Sequence, residues 1–191
     1  MQNSSETTKS YKILLIGQPD ERNIFLEAIN LNKGKQNNHY IMKLGETRLD
    51  VYTPEFNDST LYEKADGSIT LFNHANIETF YDLPNVIANT IRQVGKMIPT
   101  VVVGINILPS SIHDEKISRE EVLDYLYKLG DVCTCMIPYF ELIEKTTNTT
   151  IFSDLITIIE CKDIERCFKI AAIRRGKCGI HQFQELSVET T

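Results

Sequence analysis

Tyr11-Lys-Ile-Leu-Leu-Ile16, followed at once by Gly17-Gln-Pro-Asp-Glu-Arg-Asn-Ile24, decides how this chain reads. The first run is short and continuously apolar from Ile13 to Ile16, as a strand buried on both faces is. Gly17 breaks it. Ile24, Phe25, Ala28 and Ile29 then recur at helical spacing, so residues 23–30 form the helix that follows. A strand, a glycine turn and a helix are the opening unit of an α/β fold.

Downstream residues extend the alternation. Residues 32–38 are polar and contain a glycine, which predicts a loop. Residues 40–44 and 48–53 are β-prone and flank Gly45-Glu-Thr47, which predicts a hairpin. Residues 67–74 read as a strand. Ile87, Ile91, Val94 and Ile98 repeat at helical spacing, so 83–97 read as a helix. Thr100-Val-Val-Val-Gly104 is a β-branched run suited to a central strand. Ser118 followed by Glu121 is a capping-box pair ahead of Val122, Leu123, Leu126 and Leu129. Residues 133–140 read as a strand, and 151–159 as a helix. The order β-α-β-β-β-α-β-α-β-α predicts a mostly parallel sheet with helices on both faces and one antiparallel edge strand.

The 191 residues suffice for one domain with a buried core, and 42% of them are hydrophobic. The net charge of −6 speaks against a general nucleic-acid binder. No apolar run reaches the ~20 residues of a membrane span. Five cysteines, at 133, 135, 161, 167 and 178, have no framework or zinc spacing, so reduced thiols in the cytoplasm are expected. Residues 1–10 read as a disordered leader and 161–191 as a helical extension and tail. Arg166, Lys169, Arg174, Arg175 and Lys177 make that tail basic, which offers contact with an anionic membrane as an alternative to a solvated end.

The element order and its local sequences resemble the Ras/Rab small GTPases over residues 11–160. Tyr11 to Gly17 is similar to their first strand and phosphate-loop glycine. Ala65-Asp-Gly-Ser-Ile-Thr-Leu-Phe72 and Ile98-Pro-Thr-Val-Val-Val-Gly104 resemble later strands, and Pro138-Tyr-Phe-Glu141 with Lys145 resembles the last strand and guanine loop. The resemblance implies a three-layer Ras-like P-loop fold with a six-stranded sheet.

The same resemblance says where chemistry belongs, and those positions depart from it. A phosphate loop needs G-x-x-x-x-G-K-[ST], for close backbone approach, a lysine on the phosphates and a magnesium-holding hydroxyl. Here Arg22, Asn23 and Ile24 stand at its last three positions, with Asp20 and Glu21 adding negative charge. The first switch segment, 31–39, has no Ser or Thr. Thr53-Pro-Glu-Phe56 replaces Asp-x-x-Gly. Asn106 and Lys145 are the remnants of the guanine motifs. Gly17, Arg22, Asn23, Asn106 and Lys145 are therefore vestigial positions, with no magnesium site, no catalytic residue and no required cofactor.

The expected function is that of a pseudo-GTPase: a protein-interaction module or complex subunit in trafficking or signalling. It would sit in the cytoplasm, on a membrane surface or within a larger complex. Tyr40, Met42, Arg48 and Tyr52 on the hairpin are the expected partner-binding residues. The alternative is an atypical switch that binds GTP or GDP weakly through Arg22, Asn106 and Lys145. His74, at the end of a strand, lies near the ligand edge of such a sheet.

Overall fold

The computed structural model describes residues 9–55, 58–107, 117–133, 137–143 and 149–161. Seven strands form one sheet: β1 (Lys9–Ile16), β2 (Asn32–Lys33), β3 (His39–Leu44), β4 (Thr47–Tyr52), β5 (Gly67–Asn73), β6 (Thr100–Ile105) and β7 (Tyr139–Leu142). The helices are α1 (Pro19–Ile29), α2 (Ser59–Tyr62), α3 (Ile77–Tyr81), α4 (Leu83–Val94), α5 (Arg119–Cys133) and α6 (Thr150–Glu160). Strand order is β2-β3-β4-β1-β5-β6-β7. The pairs β4–β1, β1–β5, β5–β6 and β6–β7 are parallel, and β2–β3 and β3–β4 are antiparallel.

The apolar strands are continuous because both faces of the sheet are covered. Ile13, Leu15, Ile69, Leu71, Val101, Val103 and Ile105 join Phe25 of α1 and Phe152 of α6 in one core. Phe72 and Val102, which alternate with them, join Phe80, Leu83, Ile87, Val122 and Leu126 in a second. The period of two along each strand sends neighbours to opposite layers.

Five expectations need correction. Among the described residues the sheet has seven strands, not six. Asn32 and Lys33, expected in a loop, pair with Ile41 and Tyr40, and Gly34 N–H closes the turn on His39 O at 2.7 Å. Two polar residues carry no alternation, so nothing in their pattern announces a strand. β1 starts at Lys9, two residues inside the expected leader, because Lys9 and Ser10 pair with Thr47 and Arg48. The strand expected over 133–140 begins only at Tyr139. Cys133 closes α5, and Pro138, which has no N–H to give, instead offers its carbonyl to Val102 N–H at 2.8 Å. Finally, Cys161 is disulfide-bonded, so the five cysteines are not all reduced, and they no longer argue for a reducing compartment.

The helix signals hold more closely. Ser118 Oγ accepts from Glu121 N–H and the Glu121 carboxylate accepts from Ser118 N–H, at 3.2 and 2.8 Å. α4 ends at Gly95, whose φ of 76° is the left-handed value that favours glycine. Residues 108–116, 144–148 and 162–191 lie outside the described residues. Lys145 and the basic tail are among them.

Candidate functional site

β1 lies between β4 and β5, so the chain leaves it to one side through α1, β3 and β4 and returns to the other through β5. Ligands favour this switch point, at the carboxyl ends of the strands. A cleft of about 380 Å³ opens there. Ile16, Leu71 and Val86 form its apolar wall, and Gln18, Glu21, Arg22, Glu55, Thr79 and Asp82 are its polar groups.

The glycine turn after β1 is closed by its own helix. Glu21, 3% exposed, accepts from Gln18 N–H through Oε2 at 2.8 Å. A backbone donor at the start of α1 is thus taken by a carboxylate of the same helix, where the positive end of the helix dipole suits it. Gly17 makes the room. A Cβ there would lie 2.9 Å from Glu21 Oε2 and 2.9 Å from Leu71 Cβ. Pro19, at the first helical position, has no N–H and fits a helix start.

Arg22 fills the adjoining space. Its side chain is buried and donates to Pro54 O at 3.0 Å and to Glu55 Oε1 at 3.1 Å. It therefore ties α1 to the segment after β4. Glu55 is mostly exposed, so the hydrogen bond to the Pro54 carbonyl is the firmer of the two.

Glu21 is held at a cost. Its Oε1 is buried with no hydrogen-bond partner among the described residues. The Thr79 hydroxyl, which lines the same cleft, gives its proton to Asn76 O. Burial pushes the Glu21 carboxyl above the ordinary glutamate value, against the pull of the Gln18 N–H and of the nearby Thr79 hydroxyl. Above the unfolded value the folded chain then holds the extra proton. Stability from this group is greatest below the ordinary glutamate pKa and falls as pH rises through the raised one. Glu21→Gln is therefore expected to raise the melting temperature at neutral pH, with the gain shrinking as pH falls toward the ordinary glutamate pKa. Melting curves of both proteins across pH check this.

A second polar cluster gathers His74 and Asn106, just past the carboxyl ends of β5 and β6, with Tyr139 and Glu141 of β7. His74 is buried, with Nδ1 3.1 Å from Ile117 O and Nε2 2.9 Å from the Tyr139 hydroxyl. A carbonyl only accepts, so in the neutral ring Nδ1 carries the proton and Nε2 accepts from Tyr139. Burial, with Glu141 nearby, raises the Tyr139 hydroxyl well above its usual range and keeps it a donor. Glu141 accepts from Asn106 Nδ2 at 2.9 Å and from Arg119 at 3.3 Å. The Arg119 guanidinium lies 5.5 Å from the Tyr139 ring centroid. This cluster is packed. It pins the start of α5 to the sheet, so His74 is a bridging core residue and Asn106 is engaged within the chain.

The hairpin residues do not form one patch. Met42 is buried and Tyr40 half-buried against the α1–α6 core, beside Leu49 and Val51. Arg48 and Tyr52 lie on the other face, one residue out of phase. There Asp50 gathers His39 Nε2 at 2.7 Å, Arg48 at 2.7 Å and Ser10 Oγ at 3.0 Å, and Tyr52 stacks on His39 at 4.6 Å. Burial alone would raise the Asp50 carboxyl, but bonds from Arg48, His39 and Ser10 outweigh it and hold it low. Serine reaches the aspartate here and not the histidine, so the trio is not a nucleophile–base relay.

Gly17 and Arg22 thus share the cleft, and Asn106 stands in the other cluster. Asn23, half-way round α1 from Glu21, is exposed. Glu21, His74, Tyr139 and Glu141 are the polar residues that sequence reasoning did not bring together. Gln18 followed three residues later by Glu21 was the available signal, as the carboxylate half of a capping box. No described helix is long and apolar enough to cross a membrane. No family model and no curated protein matches this chain.

Proposed function

We propose that the chain is a degenerate relative of the Ras/Rab GTPases, a pseudo-GTPase that serves as a protein-interaction module. One observation carries the reading: the glycine turn where phosphates would bind is filled from within. Glu21 takes the Gln18 N–H and Arg22 is committed to Pro54 O and Glu55. A nucleotide phosphate would have to displace a carboxylate, and would meet Asp20 and Glu21 as like charges. Apart from the two-residue edge strand β2, which is antiparallel to β3, the order β3-β4-β1-β5-β6-β7 is antiparallel only at β3–β4, which is consistent with that relationship. At the position expected for guanine, Asn106 donates to Glu141. The alternative nucleotide switch would need both Arg22 and Asn106 to leave these partners.

Exposed apolar side chains favour the α3–α5 side of the sheet as the partner face. Ile77 and Tyr81 on α3, and Leu123 and Tyr127 on α5, are exposed, with Tyr127 at 65%. Phe80 and Tyr125 join the two helices, their rings 4.8 Å apart. Exposed aromatic residues are the type enriched at interfaces.

Thermal denaturation with GTP or GDP and magnesium tests the reading. A ligand at a hundred times its Kd adds about 2.7 kcal/mol, or several degrees. The expected result is an unchanged melting temperature with either nucleotide. A magnesium-dependent rise of several degrees would replace this reading with the switch.

A further inference from the structure

We propose that the cleft at the switch point is a binding site for a protonated amine or guanidinium group, with Glu21 as its acceptor. Two independent observations meet there. The cleft is open, about 380 Å³, within the range of small-ligand sites. Glu21 lines it, is 97% buried, and has beside its carboxylate, apart from the Gln18 N–H on Oε2, only the Thr79 hydroxyl, which is directed at Asn76 O, so Oε1 has no full hydrogen bond among the described residues. A buried acceptor left unpaired costs stability and is a vacancy for a donor.

Charge decides which donor. Among the described lining residues Glu21, Glu55 and Asp82 are acidic and Arg22 is the only base. Arg22 is already spent on Pro54 O and Glu55. An anion would find the Gln18 N–H occupied and three carboxylates around it. A cation gains from Glu21 and Asp82, and from Asp20 next to Glu21 on α1, while Glu55 is paired with Arg22. Ile16, Leu71 and Val86 supply an apolar wall for the methylene stem of an alkylamine. Elsewhere a buried carboxylate that destabilises its own fold marks a functional group, and here the raised Glu21 carboxyl is that mark. The charged or titratable groups packed around it are Asp20 and Arg22 on α1, Glu55 after β4, Tyr62 on α2 and Asp82 before α4. The inference goes beyond the pseudo-GTPase reading and stands without it, because it uses only the cleft.

A basic side chain of a partner protein and a free small amine share this chemistry. The test is titration of the isotope-labelled protein with n-butylammonium, n-butylguanidinium, sodium butyrate and n-butanol, reading the amide signals of Gly17, Gln18 and Glu21. The two cations are expected to give saturable shifts at these amides and the other two probes none. Affinity should weaken about tenfold per pH unit once pH drops below the raised Glu21 pKa. Glu21→Gln should weaken it about tenfold or more. The pH dependence in the unaltered protein is a second reading that needs no variant. Tighter binding of acetyl-Gly-Lys-Gly-amide than of n-butylammonium assigns the site to a partner's side chain, and weaker binding assigns it to a free amine. Absence of saturable shifts, equal shifts from butyrate, or binding that ignores pH would overturn the proposal and leave the cleft as solvent space.

Discussion

Gly104→Ala is expected to cost about 3 kcal/mol of stability, a large share of the 5–15 kcal/mol typical of a domain. A Cβ on this strand residue would lie 2.6 Å from His74 Nε2, 2.7 Å from Phe72 Cζ and 2.7 Å from the Tyr139 hydroxyl. None of these neighbours can give way cheaply. Phe72 is buried against Phe80, with ring centroids 5.3 Å apart. His74 is held at both ring nitrogens. Moving it breaks the bond to Tyr139 or to Ile117 and strands a buried polar atom, so the loss adds to overpacking. Gly45→Ala is the contrast. No described residue lies within 4 Å of that Cβ, but φ is 59°, so the cost is about 1 kcal/mol of backbone strain. Urea unfolding separates the two: Gly104→Ala moves the midpoint about three times as far at an unchanged slope.

Arg22→Ala is expected to cost about 2–3 kcal/mol. It leaves the Pro54 carbonyl without its donor and removes a long buried stem between α1 and the segment after β4. The pair with Glu55 contributes little of this, since that carboxylate is mostly exposed. Arg22→Met keeps the stem and loses only the donors, so it should recover about half of the loss. If both variants cost the same, packing is irrelevant at this position and the hydrogen bonds alone matter. If neither costs anything, Arg22 does not close the cleft in solution, and the filled-turn account loses one of its two side chains.

The strands and long helices were legible because burial on both faces leaves a simple trace. Val101, Val102 and Val103 are all buried, alternating between two cores, and their sequence is accordingly unbroken in its apolarity. α5 announced itself through Ser118 and Glu121. What escaped notice depends on contacts distant in sequence. β2 exists only because Asn32 and Lys33 meet β3. α2 and α3, four and five residues long, are too short to show a period. The candidate site was half legible. The missing phosphate-loop lysine and hydroxyl can be read directly. The direction of Glu21 is signalled only by its place three residues after Gln18, because charge on a sequence by itself carries no orientation. Read alone, Glu21 is a repulsive charge facing a ligand, and in the fold it turns onto its own backbone. His74, Tyr139 and Glu141 come from two strands and meet across Gly104, so no local window contains them.

The most direct test of the account is denaturing extraction of the purified protein, with chromatography of whatever nucleotide is released. The filled turn between β1 and α1 predicts that no guanine nucleotide is recovered. Equimolar GTP or GDP would contradict it, and would mean that Glu21 and Arg22 yield their places to a phosphate.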